Sequence, residues 1–255
     1  MVGQMSEEKF IGYLRLVEAC AAPGCPVCWC AIRESRSRLG ALLYEQVTDP
    51  DTRRALRASW GFCNWHTWML LEIEHAKFGS AIIYEELVRL ALEQTERLGE
   101  AADARPRHGW LATLLGWTGH STAEERYQRR PACPACVTAA ETESRYLETL
   151  VRHIDDGDVL AAYTRSDGLC VPHLLAAVAA SGHRPGARAL VARTREKWAT
   201  LGRELESFVA KHDYRNREPY TEREATSYAR AFDLLAGTKS VFGNDIHPRR
   251  RSPAS

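Results

Sequence analysis

A four-ligand pattern that occurs twice constrains this chain more than anything else in it. Cys25-Pro26-Val27-Cys28 precedes Cys63-Asn64-Trp65-His66, and Cys133-Pro134-Ala135-Cys136 precedes Cys170-Val171-Pro172-His173. The first motif recurs at an offset of 108 residues and the second at 107, so one deletion separates two copies. Each copy offers three thiolates and one imidazole, the ligand set of a closed tetrahedral zinc site. A Cys-Pro-x-Cys knuckle aims two sulfurs at one point and starts a helix, whose positive dipole end favours thiolate. Cys-x-x-His on the first turn of another helix brings two more ligands to one face at i and i+3. The expectation is two Zn2+ ions. Cys25, Cys28, Cys63 and His66 would hold one, and Cys133, Cys136, Cys170 and His173 the other, so that each ion staples its own copy.

The remaining cysteines and the composition fit this reading. Met1 to Phe10 has no apolar stretch of the signal-peptide kind and carries Glu7 and Glu8 instead. No run approaches the roughly 18 to 20 apolar residues that span a bilayer. The chain therefore reads as cytoplasmic, where paired Cys at short spacing are more often metal ligands than disulfides. Six of the eight Cys fall in the duplicated pattern, leaving Cys20 and Cys30. Spacing alone leaves a ligand exchange among Cys25, Cys28 and Cys30 open. The second copy has Thr138 at the position matching Cys30, which makes Cys30 an ordinary buried thiol. An iron–sulfur cluster on three Cys and one His is a second alternative, whereas haem attachment needs a C-x-x-C-H run that the chain lacks. Lys and Arg number 34 against 33 Asp and Glu, which argues against a nucleic-acid protein relying on a global basic field.

Helix periodicity runs along nearly the whole chain, and no stretch of alternating β-branched residues asks to be a strand. The fold class expected is all-α, a pseudo-twofold helical repeat. Good helix formers from Cys28 to Gln46 carry an apolar stripe of Ile32, Leu39, Leu42 and Leu43. Asp49-Pro50 opens a short helix that stops near Gly61. The second copy repeats the plan, with a helix from Pro134 to His153 and a short one from Val159 to Arg165. Gly61 and Gly168 each stand two residues before a ligand Cys, where φ > 0 would turn the backbone sharply. The residue between, Phe62 or Leu169, is expected to plug the core beside the metal. Helices from His66 to about Lys77 and from His173 to about Ala180 follow. Longer amphipathic ones cover roughly Ser80–Leu98 and Ala187–Lys211. Thr221 and Glu224 form a capping box for a last helix that closes before Gly237.

These elements divide the chain into a first metal-binding copy over 1–100, a linker over 101–130, a second copy with the C-terminal helix over 131–240, and a disordered tail over 241–255. The linker holds Trp110 and Trp117 on a short apolar turn. It is read as packing across the seam between copies, with a docking patch or membrane-interface anchor as the alternatives.

The paired CPxC and G-[F/L]-C-x-x-H motifs are followed by Lys211-His212-Asp213-Tyr214-Arg215 and then Glu224, Ser227, Arg230, Ala231 and Gly237. Together, from about Cys25 to Gly237, they resemble a bacterial family of uncharacterised proteins, a domain of unknown function. The resemblance brings no activity and no catalytic residues. It implies that the Asp-Tyr-Arg segment and the C-terminal helix belong with the metal sites.

Function follows from the ligand count. Four good ligands at each site leave no open position for catalytic water. H-E-x-x-H, a nucleophile elbow, a P-loop and GxGxxG are all missing from the sequence. The leading expectation is a protein with two structural zinc sites that binds a protein or small-molecule partner or regulates one, with no catalytic residues. A zinc-based thiol redox sensor is one alternative, with the Cys25–Cys28 site beside Cys20 and Cys30 as the sensor. An enzyme with a site between the copies near His212, Asp213, Tyr214 and Arg215 is another. His153 and His183 read as surface or cap residues.

Overall fold

The computed structural model describes residues 2–103, 129–181, 184–239 and 241–242. The Trp110–Trp117 turn, His183 and the tail from Ile246 lie outside these residues. Among the described residues there are ten helices and no strand, so the fold is all-α. In chain order they are α1 (Val2–Ala19), α2 (Pro26–Glu45), α3 (Pro50–Ser59), α4 (Asn64–Met69, continued by a 3-10 turn at Leu70–Glu72), α5 (Lys77–Asp103), α6 (Pro134–His153), α7 (Gly157–Arg165), α8 (Val171–Ser181), α9 (Pro185–Lys211) and α10 (Glu222–Ala236).

Local chemistry sets most of these boundaries. Asp49 caps α3 by accepting the Thr52 N–H at 2.7 Å, with Pro50 at the first helical position. The helix ends at Ser59. Trp60 follows in the left-handed region at φ 58° and Gly61 at φ 87°. Gly168 has the same φ of 87° before the second ligand Cys. Thr221 and Glu224 close a reciprocal capping box on α10, and Gly237 ends that helix at φ 78°. One expected helix is interrupted. The segment from His66 to Lys77 breaks at Ile73, which is extended, and at His75, whose φ is 64°. The break lets Leu70 and Ala76 both turn into the core.

The chain falls into two compact units, and the division lies within α2 and α6. One unit comprises Met1–Ser35 and Thr138–Asn244. Its core gathers Leu16 of α1, Val27 of α2, Leu150 of α6, Tyr163 of α7, Leu169 and Leu190 of α9 around Cys25, Cys28 and Cys170. The fully buried Tyr163 hydroxyl pairs with Thr194 at 2.7 Å and accepts the Leu169 N–H at 3.1 Å. Trp198 Nε1 donates to the Leu169 carbonyl at 3.1 Å. The residue before Cys170 is thus held on both of its backbone polar groups, as a buried loop requires.

Family-pattern residues near the C-terminus tie α10 to α9. Glu224 accepts from Ser207 at 2.5 Å, from Lys211 at 2.9 Å and from the Thr221 N–H at 2.7 Å. These donors hold its carboxyl down at about 2. Arg230 reaches Glu204 at 2.6 Å, and the Ser227 hydroxyl donates to the Glu224 carbonyl.

The other unit contains Arg36–Val137. Its buried apolar residues include Leu39, Leu43, Leu56, Phe62, Met69, Leu70 and Ile83, and Arg53 and Arg57 both pair with Glu86. A glycine in each unit permits a close backbone approach. A Cβ on Gly79 would lie 2.3 Å from the Leu43 carbonyl oxygen, and one on Gly186 2.0 Å from that of Val151. Either contact is far inside van der Waals distance, so each pair of helices packs this tightly only on glycine.

Candidate metal centres

All four motifs sit at helix N-termini. The Cys25 and Cys133 carbonyls accept from Trp29 and Val137 as the first bonds of α2 and α6. The Cys63 and Cys170 carbonyls accept from Thr67 and Leu174 as the first bonds of α4 and α8. Each motif therefore places one ligand at the cap and the other three residues on, inside the first turn. Unsatisfied N–H groups and the positive end of the helix dipole surround every sulfur.

The structure brings the motifs together in crossed pairs. Cys25, Cys28, Cys170 and His173 converge in one cluster, and Cys63, His66, Cys133 and Cys136 in the other. Within each cluster all ligand atoms lie within 4.8 Å of one another. This corrects the expectation that each copy completes its own site. The reason lies in helix length. The 20 residues of α2 carry the chain about 30 Å from its CPxC motif, at about 1.5 Å per residue. The ten residues of α3 recover at most about half of that. The same holds for α6 and the nine-residue α7. Each CxxH therefore meets the CPxC from the other half of the chain, and each completed cluster lies within a single compact unit.

The first cluster is wholly buried, with His173 1% exposed and Cys28 at 0%. His173 Nδ1 stands 3.4 Å from Cys25 Sγ, 3.4 Å from Cys28 Sγ and 3.2 Å from Cys170 Sγ. Cys28 and Cys170 sulfurs are 3.8 Å apart. In the second cluster His66 Nδ1 is 3.3 Å from Cys63, 3.7 Å from Cys133 and 3.4 Å from Cys136, and the Cys63 and Cys136 sulfurs are 3.5 Å apart. Zn–S and Zn–N bonds of about 2.3 and 2.0–2.1 Å in a tetrahedron imply edges of about 3.8 Å between sulfurs and about 3.6 Å from sulfur to nitrogen. The separations given above fall within about 0.4 Å of those edges. All eight cysteines are free thiols, and the sulfur separations are far beyond a disulfide bond. Ligand atoms this close can surround a single ion, whereas a cluster of several iron and sulfide atoms would hold them apart.

The ligand side chains of each cluster also perturb one another's protonation. Burial opposes a charged His173, yet Cys170, Cys25, Cys28 and Glu143 together outweigh it and raise its pKa. Hydrogen bonds from the Cys136 and Cys63 thiols hold the Cys133 thiol below its ordinary pKa. The Cys133 sulfur in turn pushes Cys136 up. With Nδ1 turned to the sulfurs, Nε2 of each His is left outward, buried and without a hydrogen-bond partner. The Glu143 carboxylate faces His173 Nε2 at 3.8 Å, where it favours the tautomer that leaves Nδ1 free to ligate. Glu143 escaped the sequence reading; its only signal is a position two helical turns after Cys136 on α6.

Other candidates fall outside the clusters. Burial pushes the Cys20 thiol up to about 11 and the Cys30 thiol up to about 12. Cys30 contacts the Arg15 carbonyl and joins neither cluster. Asp213 accepts from the Arg215 backbone and guanidinium, and Tyr214 is 90% exposed. His212 faces the Tyr220 hydroxyl at 3.3 Å. Residues 212–215 thus form a solvent-facing turn closed by an ion pair, and the described cavity is lined by other residues. His153 pairs with Asp156 at 2.7 Å across the turn between α6 and α7, as a cap residue would.

No described helix is long and apolar enough to cross a membrane. No curated protein and no solved structure matches the chain. Residues 9–241, which include all eight clustered ligands, match one family, and the chain belongs to DUF6062, a family of unknown function.

Proposed function

We propose that the protein is a cytoplasmic zinc protein whose two Cys3His centres are structural, and that it acts by binding or regulating a partner. The carrying observation is the convergence of four ligand atoms in each of two clusters that are buried apart from Cys63, with all ligand atoms of a cluster within 4.8 Å of one another. Four protein ligands leave no position for a reactive water. Cys25, Cys28, Cys170 and His173 would hold one ion and Cys63, His66, Cys133 and Cys136 the other, each with a net charge near −1 that two helix N-termini offset. Protein purified without added metal should contain about two zinc ions per chain by elemental analysis. A content near zero in folded protein, or iron in place of zinc, overturns the assignment.

The same reading takes residues 1–100 and 131–240 as two copies of one helical repeat that exchange halves of their metal sites. The ends of α2 and α6 are 108 residues apart, and the caps Asp49 and Asp156 are 107 apart, which puts the single deletion in that loop. The glycine contacts at Gly79 and Gly186 repeat at the same offset of 107. For partner binding, the support is an exposed ring ladder on α9 and α10. Phe208 contacts Tyr220 and Tyr228, and Tyr228 contacts Phe232, which is 66% exposed. Exposed apolar patches of this kind mark interaction surfaces.

One observation favours a redox role as a second reading. Cys63 is the single ligand in the two clusters that is not buried, so the second centre, rather than the one beside Cys20 and Cys30, is the point of entry for an oxidant. Mild peroxide should then release one of the two ions to a zinc dye, with oxidation mapping to Cys63 by mass spectrometry. Release of both ions together, or none short of unfolding, removes the redox reading.

A further inference from the structure

Beside the first metal centre lies a half-open cavity of about 410 Å³, within the size range of small-molecule sites. Its walls come from the end of α7, the Ser166–Leu169 loop, one face each of α9 and α10, and Gly24. Five basic side chains line it, Arg165, Arg193, Lys197, Arg223 and Arg230, against the three acids Asp167, Glu196 and Asp233.

Several of the basic side chains that line this cavity keep donors that no protein acceptor uses. Arg193 and Arg230 each spend a terminal nitrogen on a carboxylate outside the cavity lining, Asp155 and Glu204 respectively. Their Nε donors are buried and have no acceptor. Lys197 donates to the Thr164 and Ser166 carbonyls at 2.9 and 2.6 Å, which leaves one of its three N–H bonds free. Arg165 is exposed at the rim. On the acceptor side, Asp167 takes the Gly24 N–H at 2.9 Å. Burial raises the Asp233 carboxyl, and the charge of Asp167 adds to it.

If the duplication proposed above holds, the first copy serves as an internal control. At the offset of 107, Tyr163, Asp167, Arg193 and Lys197 correspond to Leu56, Trp60, Glu86 and Leu90. Leu56 and Tyr163 are equally buried, so the helical frame tolerates an apolar residue there. At Tyr163, Asp167 and Lys197 the second copy thus carries polar groups where the first has Leu56, Trp60 and Leu90.

We propose that this cavity binds a free small molecule that carries a phosphate or carboxylate group together with an ammonium or hydroxyl donor. The oxyanion meets the free Lys197 N–H and the guanidinium of Arg165, within the positive field of Arg193, Arg223 and Arg230, and the donor group meets Asp233 and Asp167. Cys25 and Cys170 line the same cavity, so the ligand would rest against the metal centre without entering its coordination sphere.

The test is calorimetric titration of full-length zinc-loaded protein, its metal content measured in the same sample, with inorganic phosphate and with phosphoserine at constant ionic strength. Both probes should bind saturably at one site, phosphoserine about tenfold more tightly, since it alone supplies the ammonium group. Arg230→Gln should weaken both about tenfold or more. Because Arg230 also pairs with Glu204, Arg165→Gln at the exposed rim is the companion variant, folded in any case and expected to weaken both probes. Asp233→Asn should weaken phosphoserine and leave phosphate unchanged. Absence of saturable binding at millimolar concentrations in protein shown to hold its metal overturns the proposal, as does binding that survives both arginine substitutions. Equal affinity for the two probes overturns the role of Asp233 and Asp167.

Discussion

Cys170→Ser is expected to open the unit formed by Met1–Ser35 and Thr138–Asn244 while Arg36–Val137 stays folded. Structural zinc contributes on the order of 10 kcal/mol of apparent binding energy in small zinc domains, comparable with the whole stability of a typical domain at about 5–15 kcal/mol. In this unit the cluster is part of the core, with Cys25, Cys28 and Cys170 packed among Leu16, Leu150 and Leu169. Losing one thiolate would weaken the ion and leave His173 and two sulfurs buried without their charge partner, which is costly in itself. Hydrogen exchange read by mass spectrometry should show residues 11–35 and 138–181 exchanging orders of magnitude faster, with residues 50–96 unchanged. Residues 11–35 are the telling segment. If the copies completed their own sites, Cys25 and Cys28 would keep their ion when Cys170 is lost, and that segment would stay protected.

Much of this was legible in residue order because it rests on local chemistry. Helix starts at Asp49-Pro50 and at Thr221 follow from side chains that cap their own backbone, and these need no tertiary knowledge. Gly61 and Gly168 carry φ > 0 because the chain, having left one helix, must turn sharply two residues before the ligand that caps the next. The eight ligands were legible for the same reason, since spacing of three on a first turn dictates a shared face. The partnership between motifs was not, because either pairing satisfies the ligand count. The lengths of α2 and α3 held the answer, but only as a question about where a long helix leaves the chain. Two further misses are tertiary. Leu70 and Ala76 break the helix after His66 by both seeking the core. Glu143 becomes a partner of His173 through a contact 30 residues away in the chain, which no local pattern marks.

Metal content of two double variants tests the central claim most directly. In Cys28→Ser with Cys170→Ser, crossed pairing puts both substitutions in one cluster, so elemental analysis should find one zinc ion per chain. In Cys28→Ser with Cys63→Ser the substitutions fall in different clusters, so both ions should be lost or severely weakened. The contrast is large because each site either keeps all four ligands or lacks at least one. Pairing within each copy predicts the reverse, with the first variant empty and the second holding one ion, and that result would contradict the account.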